Sequence, residues 1–223
     1  MAITILNIET ATTNCSVSLS QDGEILLLKE DYNTSYSHAE TLHVYIENLL
    51  AEAKLKFSDL DAIAVSKGPG SYTGLRIGVS AAKGLCFALD KPLIAISTLE
   101  ILASQVKHID GVIVPMLDAR RMEMYAAVFD SNYNQLRDIK AEILNETAFE
   151  TYLNKGKVYF IGNAVEKSKT VITHPNAVFI ENKLPSANEM ASLSFNKYKK
   201  SDTEDVAYFE PFYLKDFMIA SKA

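Results

Sequence analysis

Tryptophan is absent from the 223 residues, and cysteine occurs only at Cys15 and Cys86. Neither cysteine belongs to a CxxC pair or has a histidine at ligand spacing, which excludes a zinc knuckle and a disulfide framework. Each sits in an apolar run and reads as a small buried hydrophobe in a reducing compartment. A basic surplus is missing too: 22 lysines and arginines face 28 aspartates and glutamates, a net charge of −6. A protein that grips nucleic acid alone is normally basic, because phosphate contacts dominate its affinity. Any RNA-directed role is therefore expected to pass through a partner. No apolar run approaches membrane-spanning length. The opening "MAITILNIETA" has no basic leader and is broken by Asn7 and Glu9. It reads as a strand, and the expected location is the cytoplasm.

Four of the nine glycines fall within "SKGPGSYTGLRIG", Ser66 to Gly78. Glycine at that density lets a backbone come close to a ligand or to another segment. A strand, a glycine loop and a helix in that order can cradle an anion on free helix N–H groups. The loop is no Walker A motif, since no Lys-Ser or Lys-Thr pair accompanies it, and the G-x-G-x-x-G spacing is missing. Gly68, Gly70 and Gly74 serve equally well for a tight helix entry without ligand, and both readings stay open. In the following helix Arg76, Ser80 and Lys83 share one side. The apolar or small remainder covers roughly 200°, about twice the stripe that packing on one core requires. Such a helix lies either between layers of its own chain or between its sheet and another subunit.

Strand and helix patterns alternate along the chain. "AITILNIE", "CSVSLS" and "EILLLKE" read as strands, the last two joined by a "QDG" turn. "HAETLHVYIENLLAEA" reads as a helix with Leu42, Ile46 and Leu49 on one stripe. "DAIAVS" and "KPLIAIS" are further strands, and Ser97 with Glu100 predicts a capping box on "TLEILASQV". From residue 108 the order repeats: "GVIVPMLD" ends on an acidic residue, Asp118, as the first strand ends on Glu9. An alternating strand, a polar turn and a third strand follow. A short helix around "ETAFETYL", strands "KVYFIG" and "AVFIE", a helix "SANEMASLSFNKYK" and a strand-like "VAYFEPFYL" complete the pattern. The reading is an α/β protein of two lobes, 1–107 and 108–223, with helices layered on mixed sheets.

Candidate chemistry is sparse. His38 and His43 lie five apart on a helix, about 140° around it, so they form no metal pair. Asp118 stands with Arg120, Arg121 and Glu123, either as a metal–nucleotide carboxylate or as part of an ion-paired hinge. No Gly-x-Ser-x-Gly elbow accompanies any serine, which leaves a peptidase without a Ser–His or metal constellation.

The segments "ILNIETATTNCSVSL", "SKGPGSYTGLRIGVSAAKGLCFALDKPLIAISTLEILA" and "VPMLDARRMEMYAAVF" resemble the TsaB (YeaZ) family over most of residues 3–130. Beyond residue 130 the likeness rests on "YFEPFYLK". The resemblance implies the two-lobed actin-like ATPase (ASKHA, ribonuclease H-like) fold. It also implies an inactive paralogue of TsaD, the enzyme that makes threonylcarbamoyladenosine (t6A) next to the anticodon. Such a scaffold pairs with TsaD through first-lobe helices, supports turnover with the ATPase TsaE, and forms homodimers when isolated. On that basis Leu42, Ile46, Leu49, Gly78, Ala81, Ala82 and Leu85 are candidate interface residues. Glu9, Gly68, Gly70 and Asp118 are a vestigial nucleotide site.

Three departures from TsaD-like enzymes carry the expectation of inactivity. Thr98 and Leu102 stand where the enzyme's metal-binding histidines fall. The second-lobe adenosine clasp is reduced to Gly162 in "YFIGNAVEK". Glu9 replaces the usual aspartate. No catalytic residue, bound metal or tight cofactor is therefore expected, and ATP or ADP, like tRNA, is expected only through the partner complex. The rival readings are a stand-alone small-molecule kinase or ATPase using Glu9 and Asp118, and a homodimeric binding module unconnected with tRNA.

Overall fold

The chain builds the same five-stranded sheet twice. The computed structural model describes residues 2–32 and 38–215. In chain order the first half runs β1 (Thr4–Glu9), β2 (Cys15–Gln21), β3 (Glu24–Asp31), α1 (His38–Ala53), β4 (Ala62–Gly68), α2 (Tyr72–Leu89), β5 (Leu93–Ser97) and α3 (Thr98–Ala103). The second runs β6 (Val112–Asp118), β7 (Glu123–Phe129), β8 (Gln135–Ile143), α4 (Glu150–Leu153), β9 (Val158–Ile161), α5 (Val165–Lys169), β10 (Ala177–Ile180) and α6 (Ala187–Lys199). The sheets are ordered β3-β2-β1-β4-β5 and β8-β7-β6-β9-β10. In each, the first three strands are antiparallel and the last two run parallel to the first. The echo in the sequence is thus a duplicated topology, and the fold is the ASKHA type.

Period-two alternation decides which layer each residue joins. Leu6 and Ile8 of β1, with Ile63 and Val65 of β4, face α1 and α2. Ile5, Ala62 and Ala64 face the opposite layer, where α6 contributes Ala187 and Met190. The β2–β3 hairpin turns on Asp22 and Gly23 at φ 51° and 90°, the residues a two-residue primed turn favours. α3 is the joint between the lobes. Its Ile101 packs with Ile94 and Ile96 of the first sheet, whereas Leu99 and Leu102 pack with Ile113 and Leu117 of the second.

Three expectations need correction, and one helix had none. α6 belongs by sequence to the second lobe, but it returns to cover the first sheet through contacts with β1, β2 and β5, so the division at 107/108 does not hold for it. Residues 206–214, expected as strand-like, belong to an irregular strap over 204–215 whose single bridge is Leu93 to Glu204. Lys83 takes the carbonyls of Ala207 (3.2 Å) and Phe209 (2.8 Å), groups that a sheet neighbour would otherwise have bonded. Ser97 makes no side-chain cap to α3, which stops at Ala103. α5 was not legible, because five residues are too few to show helical periodicity.

Candidate functional site

Glu9 ends β1 fully buried. One carboxylate oxygen accepts the Ala11 N–H at 2.5 Å. Burial pushes the carboxyl up to about 7, against the opposing pull of the Ala11 N–H, the Ser66 hydroxyl and the Thr10 N–H. At neutral pH the group is therefore partly protonated, a poor ligand for a divalent metal.

The glycine loop is occupied by its own chain. A Cβ on Gly70 would lie 2.5 Å from the Ala11 carbonyl oxygen, and one on Gly74 would lie 2.1 Å from that of Thr10. The Ser71 N–H donates to the Ala11 carbonyl at 2.7 Å, and the Thr10 hydroxyl donates to the Gly74 carbonyl at 2.8 Å. The Ser71 hydroxyl caps α2 by accepting from the Gly74 N–H. Gly68, at φ 109°, meets the Phe212 carbonyl oxygen 2.8 Å from where its Cβ would be. So Gly68 and Gly70, read as remnants of a phosphate cradle, face Phe212 and Ala11 instead. Of the two readings of this loop, the geometry fits tight helix entry.

Asp118 ends β6 at the position equivalent to Glu9. It accepts from the Arg120 N–H at 2.8 Å and from Lys167 Nζ at 2.7 Å. The same ammonium donates to the carbonyls of Arg121 and Glu123, while the Glu123 carboxylate pairs with Lys215. Ion pairs do form here, but with Lys167 and Lys215 rather than the neighbouring arginines, and the Asp118–Lys167 pair joins two elements of the second half rather than the two lobes. Sequence reasoning missed Lys167, whose only signal was its place in the short helix after Gly162. A Cβ on Gly162 would lie 2.1 Å from the Met116 carbonyl oxygen, so this glycine serves sheet packing. Beside it a pocket of about 350 Å³ is lined by Tyr32, Asn163, Val165, Glu166 and Leu184.

His38 is buried with its Nε2 2.6 Å from the Thr12 carbonyl, whereas His43 is exposed. Thr98 is buried and Leu102 lies in the interlobe core. Among the described residues no three His, Cys, Asp or Glu side chains gather as a metal site, and no helix is long and apolar enough to cross a membrane.

The interface candidates divide sharply. Leu42, Ile46 and Leu49 are at most 1 % exposed and pack in the first-lobe core, as does Ala82. Gly78 is buried, and a Cβ there would lie 2.2 Å from the Thr10 hydroxyl. These five face inward, because the stripes that look apolar in the sequence are the ones the sheet claims. Ala81 and Leu85 are half-buried at the border. The outward faces carry other residues: Val44 on α1, and Arg76, Gly84, Ala88 and Phe87 on α2, with Phe87 86 % exposed.

Comparison with known proteins is consistent with this geometry. The family model for TsaD, tRNA N6-adenosine threonylcarbamoyltransferase, matches residues 32–221. The tRNA threonylcarbamoyladenosine biosynthesis protein TsaB of Bacillus subtilis is 31 % identical, over 96 % of this chain and 94 % of the relative. Its Escherichia coli counterpart is 27 % identical over 95 % and 94 %. Among solved structures, YeaZ from Pseudomonas aeruginosa superposes with a TM-score of 0.84 at 27 % identity, over 95 % of this chain and all of that one. With its duplicated sheets, occupied glycine loop and likeness running nearly end to end, the chain belongs to the TsaB (YeaZ) family of TsaD-like proteins.

Proposed function

We propose that this chain is a non-catalytic scaffold subunit in t6A biosynthesis, pairing with a TsaD homologue and supporting turnover with a TsaE homologue. The role in t6A biosynthesis follows from the names of its relatives. One observation carries the scaffold reading: α2 buries one side in its own core while presenting Phe87, 86 % exposed, on the other. A large apolar side chain held out by a rigid helix suits a partner contact. The same face accounts for homodimers of the isolated chain. ATP or ADP reaches it through the partner complex, and tRNA is held chiefly by the partner.

The rival, a stand-alone kinase or ATPase, needs free carboxylates toward a metal–nucleotide. Glu9 is buried and partly protonated, and Asp118 is neutralised by Lys167, which disfavours it. Co-expression with the TsaD homologue of the same cell tests the proposal. A stable complex that Phe87→Glu disrupts is expected, together with reduced t6A when the chain is depleted. ATP hydrolysis by the purified chain alone would support the rival instead.

A further inference from the structure

The hairpin joining β6 to β7 turns through Arg120 and Arg121, at φ 69° and 52°. They are the only consecutive non-glycine residues in the left-handed region among the described residues. Side chains with a Cβ visit that region rarely. Where a hairpin demands it twice running, Asp-Gly or Asn-Gly normally serves, as Asp22-Gly23 does between β2 and β3. Two arginines hold this strained turn, and strain of that kind gathers at functional positions.

The charges around the turn are sorted. Lys167 neutralises Asp118, and Lys215 neutralises Glu123. Both carboxylates at the hairpin base are therefore satisfied from outside it. Arg120 and Arg121 are exposed and form no ion pair among the described residues. Two guanidiniums without an ion pair among the described residues thus project from a chain whose net charge is −6. Lys167 also bonds the Arg121 and Glu123 carbonyls, which fixes the direction of the tip.

We infer that this hairpin tip is a contact for the phosphodiester backbone of an RNA, an inference that rests on the t6A reading above. A guanidinium is a planar fork that matches two phosphate oxygens, and it stays charged at every relevant pH. Two phosphate contacts are too few to hold RNA at physiological salt. The tip therefore orients a strand that a partner holds, which reconciles it with an acidic chain.

The full-length chain is titrated at low ionic strength with an unmodified tRNA transcript and followed by NMR. Shifts confined to the 119–123 amides and the Arg120 and Arg121 side chains are expected, and they reverse with added salt. The Arg120→Gln/Arg121→Gln pair should lower apparent affinity about fivefold or more. It should also reduce the slope of log affinity against log salt by about 1.4–1.8. Arg120→Lys/Arg121→Lys should keep the slope. Absence of shifts at the tip, shifts elsewhere, or an unchanged slope in the folded glutamine pair overturns the inference. So does loss of a protein partner rather than of RNA. Assembly with the TsaD homologue is scored separately by light scattering, so failure of either idea is visible without the other.

Discussion

Glu9 and Asp118 occupy equivalent positions in the two sheets, and each accepts a hydrogen bond from the backbone N–H two residues on, Ala11 at 2.5 Å and Arg120 at 2.8 Å. The duplication has kept the bond and changed its surroundings. Asp118 is half-exposed with an ammonium at 2.7 Å, so its charge is both hydrated and paired. Glu9 is fully buried with only neutral donors around it. The ammonium beside Asp118 has no counterpart at Glu9, whose carboxyl burial pushes up to about 7.

The Glu9 environment predicts an inverted pH dependence. Its carboxyl titrates near 4.5 unfolded and about 7 folded. Between those values the folded state binds more protons than the unfolded one, so stability falls as pH rises through that window and levels off above 7. The drop corresponds to roughly 3 kcal/mol at about 1.4 kcal/mol per pK unit. Urea titrations from pH 4.5 to 8 should show it, and Glu9→Gln should flatten the profile. Wild type with a rising profile over this range would refute the burial argument.

Lys167 predicts a local effect. It donates to Asp118 and to two hairpin carbonyls while largely buried itself. Hydrogen bonds that involve a charged group contribute about 1.5–3 kcal/mol each when truncated. Lys167→Met should therefore lower stability by a few kcal/mol and speed amide exchange at Ala119 and Glu123, whose N–H groups close the turn. Unchanged exchange there would mean the hairpin holds without the lysine.

The strap predicts that a segment without regular structure still supports the core. Phe209 and Val206 pack against the first-lobe core from outside, and Lys83 holds the strap's carbonyls. Phe209→Ala should cost about 1–2 kcal/mol, less than a fully buried phenylalanine would. Lys83→Met should loosen the same segment without disturbing α2. Chemical denaturation of both variants checks this, and wild-type stability in Phe209→Ala would show the strap to be passive.

The strands along the chain and their duplication were legible because period-two alternation and the paired Glu9 and Asp118 positions survive in the residues themselves, whereas the order of strands within each sheet was not read. The role of the glycine loop was not, because a glycine that admits a phosphate and one that admits the Ala11 carbonyl look identical in sequence. The outward face of α2 was also hidden. At Gly78, Ala81 and Ala82 a small side chain suggests that something approaches closely without saying from which side, and at Gly84 nothing lies within 4 Å of where a Cβ would stand. The strap misled because "VAYFEPFYL" has strand composition while its backbone is held by the Lys83 ammonium and a single bond from the Phe212 N–H to the Lys67 carbonyl of β4.

The rotation of α2 is now fixed, which turns a pair of adjacent substitutions into a test of the scaffold mechanism. Ala82 is fully buried against the first sheet, Ala81 lies half-buried at the border, and Phe87 points away from the core. An arginine at 82 would place an unpaired charge where water cannot follow, costing several kcal/mol. At 81 the long side chain can reach solvent along the helix surface. Ala82→Arg should therefore be unfolded or insoluble, whereas Ala81→Arg should melt near wild type. Phe87→Glu should also fold normally, because it removes no core contact. If the outer face of α2 meets a second subunit, Ala81→Arg and Phe87→Glu should both run as monomers in light scattering and fail to capture the TsaD homologue. If both fold and still associate, α2 is not the contact and the scaffold proposal must find another surface. If Ala82→Arg folds as well as Ala81→Arg, the packing of α2 described here is wrong.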